Sequence, residues 1–173
     1  MIAQMEEIFR GEFTTDVLET TVLNHKRMVV RIRPAALLEI VNFLTEDKRY
    51  RFIIASGISH ADHFEILYHL SDDSTGYILS LQVELPAEKP EIESLANLVP
   101  AANWIEREIH DLFGITFLNH PNMVPLIANG NWAADEHPYA TQGRRGAVAE
   151  SQGQGSATHQ KGDSRLRNIN KDL

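Results

Sequence analysis

Three β-rich runs follow one another between residues 51 and 85, and their spacing leaves few folds open. Arg51 to Ile58 holds Phe52, Ile53 and Ile54. His63 to Leu70 alternates through Phe64, Ile66, Tyr68 and Leu70. Gly76 to Leu85 alternates through Leu79, Leu81, Val83 and Leu85 on one face, with Ile78 and Ser80 on the other. Side chains of a strand point to opposite faces in turn, so each run offers one apolar face to a core. The links His60-Ala61-Asp62 and Ser71-Asp72-Asp73-Ser74-Thr75-Gly76 have hairpin length and turn chemistry. The segment is therefore expected to form an antiparallel meander.

The flanks add helices and more strand. Ile2 to Arg10 reads as a short helix with Ile2, Met5 and Phe9 on one side. Val17 to Leu23 reads as a strand, as does the β-branched run Met28 to Arg33. Pro34 suits the first turn of a helix, and Leu37, Leu38, Val41 and Leu44 follow at helical spacing, so a helix is expected over 34–47. Pro86 to Pro90 reads as a linker. Pro100 to Phe113 is the clearest helix, with Ala101, Ile105, Ile109 and Leu112 as its apolar stripe, Ala102 and Phe113 beside it, and Gly114 as its stop. The fold class expected is α+β: a small, mainly antiparallel sheet with helices packed on it. Residues 1–139 form that domain. Residues 140–173 hold no aromatic residue and interleave glycines with Gln, Ser and Arg, so they read as a tail that is flexible or ordered only on partners.

Composition removes several functions. With no cysteine, the chain has no thiolate for an all-cysteine iron–sulfur cluster or a cysteine zinc site. No run of 18 or more apolar residues occurs, and the acidic N-terminus does not resemble a signal or transit peptide, so a cytoplasmic protein is expected. The net charge is -8, yet residues 143–173 carry six basic and three acidic side chains. The body is thus more acidic than the whole, which argues against nonspecific nucleic-acid binding.

The densest stretch of chemistry runs from Ala102 to Pro121: Ala-Asn-Trp-Ile-Glu-Arg-Glu-Ile-His-Asp-Leu-Phe-Gly-Ile-Thr-Phe-Leu-Asn-His-Pro. On a helix Arg107 and Asp111 stand four apart, as do Glu106 and His110, and Glu108 falls between them. This predicts a charged face opposite the apolar stripe, with Gly114 allowing a sharp turn and His120-Pro121 an extended exit. An ordinary solvated helix face would look the same. The order Glu-Arg-Glu, Asp, an apolar pair, Gly-Ile and then His-Pro, however, resembles the signature of the 30 kDa subunit family of respiratory complex I and its membrane-bound hydrogenase relatives. Phe64 to Leu70 also resembles that family's central strand, and the likeness spans about residues 8 to 130.

The resemblance implies a non-catalytic structural subunit in the soluble arm of a membrane-bound electron-transferring complex. Such a subunit lies against the large catalytic subunit and the small iron–sulfur subunit. It binds no cofactor itself; iron–sulfur clusters, and in hydrogenases a NiFe centre, belong to the partners. It would sit on the cytoplasmic side of the plasma membrane, touching the membrane only through partners. The interface residues implied are Trp104, Glu106, Arg107, Glu108, Asp111, Gly114, His120 and Pro121, and Arg107→Ala is expected to weaken assembly more than folding. Where complex I members carry a Pro-Leu-Arg-Lys-Asp-Phe type run, this chain holds Asp135-Glu136-His137-Pro138-Tyr139, and it is short for that branch. Both departures favour an energy-converting NiFe hydrogenase, including the carbon-monoxide-linked kind, over NADH:quinone oxidoreductase.

A small stand-alone metal-dependent enzyme is the alternative of another class. His60-Ala61-Asp62-His63 gathers ligand types, with His69 sharing a strand face with His63, but no closed ligand set is evident and no metal is expected. Glu106 and Glu108, two apart on a helix, diverge and make a poor acid/base pair. No nucleotide-binding glycine loop occurs. Trp104 and Trp132 read as core or interface anchors.

Overall fold

A computed structural model describes residues 2–128, 130, 132–133 and 136–140. The tail expectation for residues 141–173, and Asp135 in the branch-discriminating run, lie outside the described residues.

The chain opens with helix α1 (Ile2–Glu12), whose Met5 and Phe9 are buried. Strands β1 (Val17–Asn24) and β2 (Arg27–Ile32) form an antiparallel hairpin. Pro34 then starts a 3-10 turn that runs into helix α2 (Leu37–Asn42) and ends in a wide π turn, Phe43–Asp47. The proline lacks an N–H and carries a preset φ, which suits the first turn. In the π turn the Thr45 hydroxyl donates to Val41 O at 2.9 Å, a back-bond that competes with the helical ladder.

The expected meander is present: β3 (Arg51–Ser59), β4 (His63–Asp72) and β5 (Tyr77–Pro86) pair antiparallel in sequence order. Spatial order in the five-stranded sheet is β1-β2-β5-β4-β3, because β2 joins β5 in parallel. The link from β5 carries a second pairing that the sequence does not announce: β6 (Glu91–Glu93) runs parallel to β7 (Thr116–Leu118). Between them in the chain lies helix α3 (Ala102–Phe113).

One face of the sheet supplies the core. Met28, Val30, Ile66, Tyr68, Leu70, Leu79, Leu81 and Val83 are fully buried there. Helix α3 crosses β3 on that side, where Gly57 makes room for Phe113: a Cβ at Gly57 would lie 2.9 Å from the Phe113 ring. The opposite face stays partly open, with Ile54 and Ile58 of β3 exposed and Leu67 and His69 of β4 half-buried. The result is the α+β architecture that the alternation predicts.

Candidate functional site

Helix α3 holds most of the residues singled out from the sequence, but it is rolled relative to the predicted stripe. Its fully or nearly buried positions are Ala102, Glu106, Arg107, Ile109, Asp111 and Phe113. Ala101 is exposed, and Ile105 and Leu112 are half-buried. The expected solvent-facing charged surface made of Glu106, Arg107 and Asp111 is thus corrected: these three side chains point inward. They can do so because each meets a polar partner there, which offsets the cost of leaving water.

Glu106 is the deepest. Its carboxylate accepts from the Ser94 hydroxyl at 2.5 Å and from the Leu95 N–H at 2.7 Å. Ser94 Oγ in turn accepts from the Ala96 N–H at 3.0 Å. Burial pushes the Glu106 carboxyl up to about 7, even though the Ser94 and backbone donors pull the other way. The fully buried Tyr68 hydroxyl beneath is raised well above its ordinary value, first by its own burial and then by the Glu106 charge. His120 Nε2 lies 3.8 Å from Glu106 but donates to Asn103 O at 3.2 Å, while its Nδ1 accepts from the Asn122 N–H at 3.0 Å. That pattern is a neutral imidazole with both nitrogens used. Burial lowers its pKa accordingly, against the pull of the Asn103 carbonyl.

Arg107, the next residue, and Asp111, one turn further on, hold one stretch of chain from its two polarities. Arg107 donates from Nε to Val124 O at 2.8 Å and from a terminal nitrogen to Pro125 O at 3.2 Å. Asp111 Oδ2 accepts from the N–H groups of Leu126, Ile127 and Ala128 at 2.8, 2.8 and 3.0 Å. Burial alone would raise the Asp111 carboxyl; the three N–H donors overcome it and hold it below the usual range. The predicted Arg107–Asp111 and Glu106–His110 pairs are therefore replaced by longer-range bonds. His110 Nδ1 instead reaches Ile115 O at 2.9 Å.

The helix ends as the glycine predicts. Gly114 takes φ 76°, and its N–H donates to His110 O at 2.9 Å. The segment after the loop covers the last carbonyls, with His137 Nδ1 on Asp111 O at 3.0 Å and the Tyr139 N–H on Leu112 O at 2.9 Å. A Cβ at Gly114 would stand 2.6 Å from the His137 ring. Sequence reasoning misses Ser94, the 124–128 stretch and the capping role of His137. The only signal for the last is the paired histidine and proline at His137-Pro138, which in the sequence serves as a branch marker.

Of the eight residues, three still face outward. Trp104 is 70% exposed, Pro121 is exposed, and Glu108 is half-buried. Trp132 is half-buried in its loop. The other histidine cluster also resolves: His69 Nδ1 lies 2.8 Å from Ser80 Oγ and stands apart, while Glu65 joins His60 and His63 at the β3–β4 turn.

Comparison with known proteins places this arrangement. Residues 30–143, well over half of the chain, match the family described as "Respiratory-chain NADH dehydrogenase, 30 Kd subunit". The chain is 27% identical over 146 residues to a subunit of the NADH-quinone oxidoreductase of Mesorhizobium japonicum, covering 80% of this chain and 71% of that one. It is 30% identical over 124 residues to a subunit of the F(420)H(2) dehydrogenase of Methanosarcina mazei, covering 70% and 78%. Two relatives from Salinispora species are matched over 52% of their length. A chain in the structure of the membrane-bound sulfane sulfur reductase, an archaeal respiratory membrane complex, shares the fold at TM-score 0.67 and 17% identity, with 96% of this chain and 99% of that one covered. On the match over residues 30–143, a range that includes the whole of α3, this chain belongs to the respiratory-chain NADH dehydrogenase 30 Kd subunit family.

Proposed function

We propose that this chain is a non-catalytic structural subunit in the soluble arm of a membrane-bound electron-transferring complex, bridging a large catalytic subunit and a small iron–sulfur subunit. The observation that carries the reading is the division of labour on α3. Its reactive-looking side chains are spent on the chain's own loops, and a tryptophan that is 70% exposed stands on its outer side. Large apolar side chains are open elsewhere too, at Leu18 and Leu23 of β1 and at Ile53, Ile54 and Ile58 of β3. Exposed tryptophan on a rigid element suits an anchor in a protein interface better than a catalytic device.

Within that reading, Trp104, Glu108 and Pro121 meet partner subunits directly. Glu106, Arg107, Asp111, Gly114 and His120 act by fixing the backbone that presents them. The clusters and any NiFe centre sit in partner subunits, and the complex faces the cytoplasmic side of the plasma membrane. The run 135–139 favours an energy-converting NiFe hydrogenase. NADH:quinone oxidoreductase is the second reading, favoured by the relative at 27% identity that belongs to such an enzyme.

Gentle detergent extraction from the native cell with a tag on this chain, followed by mass spectrometry and metal analysis, tests it. Co-purification of iron–sulfur subunits with nickel supports the hydrogenase reading. Iron without nickel, together with NADH oxidation, supports the second. Isolation of this chain alone, turning over a substrate, overturns both.

A further inference from the structure

We infer that the β3–β4 hairpin tip is a binding site for one divalent transition-metal ion of the zinc type, held by His60, His63 and Glu65.

The backbone builds the site. The His60 N–H donates to His63 O at 2.9 Å and closes the turn over Ala61-Asp62. Strand alternation puts Glu65 on the same face as His63. The antiparallel register sets Ile58 opposite Glu65, and His60 follows two residues after Ile58, so all three residues meet at one end of the sheet's open face. One ligand atom from each lies within 4.8 Å of the others.

The spacing fits an ion. Two ligands bound at about 2.0–2.1 Å in tetrahedral geometry stand roughly 3.3–3.4 Å apart. His60 Nε2 and Glu65 Oε2 are 3.4 Å apart. The His60 and His63 rings lie side by side at the turn, with centroids 4.2 Å apart and 13° between planes, and a turn of either ring about its Cβ–Cγ bond brings its in-plane lone pair toward the other's. Asp62 Oδ1 lies 2.7 Å from His63 Nδ1. A carboxylate at one ring nitrogen fixes the tautomer and leaves the other nitrogen as the donor, as in carboxylate–histidine–metal triads.

Charge points the same way. The Glu65 side chain is only 12% exposed and sits across from Glu84 on β5. The neighbouring arginine, Arg31, is engaged by Glu19 and Glu84. A divalent ion would compensate the Glu65 charge and use both imidazoles at once. Two nitrogens and one oxygen with no thiolate select zinc, cobalt or nickel over calcium and magnesium. The imidazoles are 40% and 31% exposed, so the fourth position opens outward to water or to a donor from a neighbouring chain.

The test uses the purified full-length chain after chelator treatment, titrated with Zn2+. Calorimetry should give one ion per chain at this site, and nitrogen NMR of the imidazoles should shift His60 and His63 while leaving His25 and His69 in place. The His60→Gln/His63→Gln variant should lose at least tenfold in affinity, and Asp62→Asn should lose about 10–100-fold, the usual penalty for removing a carboxylate behind a metal-bound histidine. Unchanged circular dichroism separates these losses from unfolding. Shifts confined to other histidines, absence of any shift with excess Zn2+, or undiminished binding by the double variant would overturn the assignment. The NMR readout needs no variant at all.

Discussion

Helix α3 and the β3–β4 hairpin tip look alike in the sequence: each packs histidines and carboxylates into a few residues. The fold treats them in opposite ways. On α3 Glu106, Arg107 and Asp111 are buried and matched to groups of the same chain, down to three N–H donors on one Asp111 oxygen. At the hairpin tip the imidazoles stay at the surface and converge on one another. Charge density in a sequence therefore does not say whether a cluster serves the chain's own architecture or something outside it. What decides is whether backbone donors and acceptors from elsewhere in the chain reach the cluster. A charged cluster can then serve to hold a loop, as Arg107 and Asp111 hold residues 124–128, with no ligand involved.

The sharpest way to break this comparison is to remove an inward charge. Asp111→Ala takes away the oxygen that accepts from the N–H groups of Leu126, Ile127 and Ala128. At about 1–3 kcal/mol for each unsatisfied buried group, and toward the low end because the loop is partly open, roughly 3–5 kcal/mol of stability should go. Urea unfolding of the purified chain measures it. Arg107→Ala should follow the same course through Val124 and Pro125, which reverses the expectation that its loss would be felt mainly in assembly. A loss below about 0.5 kcal/mol, the usual size for a surface substitution, would put these groups back on the surface.

The second test turns on pH. The folded-state value of Glu106, about 7, lies above its ordinary value of 4.5. The protonated form is favoured in the fold, so its contribution to stability is fully present below the unfolded value and is lost as pH rises through about 7. At 1.36 kcal/mol per unit, about 3 kcal/mol should disappear across that window. Asp111 has the opposite sign: its value is depressed, so its contribution is present at neutral pH and fades as pH falls through the folded value. Glu106→Gln keeps an acceptor for the Leu95 N–H and removes the titration. Its unfolding free energy between pH 5 and 7.5 should be flat relative to the parent chain, and a surviving slope would place the titrating group elsewhere.

How much of this is legible in the sequence differs by element. The meander can be read because the apolar Phe64, Ile66, Tyr68 and Leu70 recur at every second position of their run, and the links are too short for anything but hairpins. The parallel pairing of β2 with β5 cannot, since nothing in the alternation names a strand's lateral neighbour. Strands β6 and β7, three residues each, are too short to show a period. The eight residues of the α3 stretch stand out by their order, but their burial does not. A hydropathy stripe counts Glu106 as surface because the Ser94 hydroxyl and the Leu95 N–H that satisfy it lie outside the helix. The hairpin cluster is half visible: His60, Asp62 and His63 lie together in the chain, but Glu65 does not announce itself as their companion. Only the β4 alternation and the turn register bring that carboxylate round.

A smaller effect is expected at the end of α3. Gly114→Ala puts a Cβ on a residue at φ 76°, where an L side chain costs about 1–2 kcal/mol, and drives it toward the His137 ring at 2.6 Å. The ring must move, releasing its bond to Asp111 O. The melting temperature should fall, and amide exchange should rise at Tyr139, whose N–H caps Leu112. Unaltered exchange there would mean that the 136–140 segment does not depend on this turn.

The smallest effect on the isolated fold should come from Trp104, and that is what makes it the most discriminating position. At 70% exposure the indole has little folded-state contact to lose. Trp104→Ala should therefore change stability by no more than about 0.5 kcal/mol. If the outer side of α3 docks on a partner subunit, the same substitution removes a large aromatic from the interface, where losses of about 2 kcal/mol or more are usual; that is roughly a 30-fold weakening. Competitive reconstitution of tagged and untagged chains into the complex reads the ratio directly. Arg107→Ala should lose fold and assembly together, whereas Trp104→Ala should lose assembly alone. Should Trp104→Ala compete as well as the parent chain, the contact with partners lies away from α3, on the exposed apolar side chains of an outer strand of the sheet: Ile53, Ile54 and Ile58 of β3 or Leu18 and Leu23 of β1. The inward grip of Arg107 and Asp111 would then stand as the whole reason for the signature.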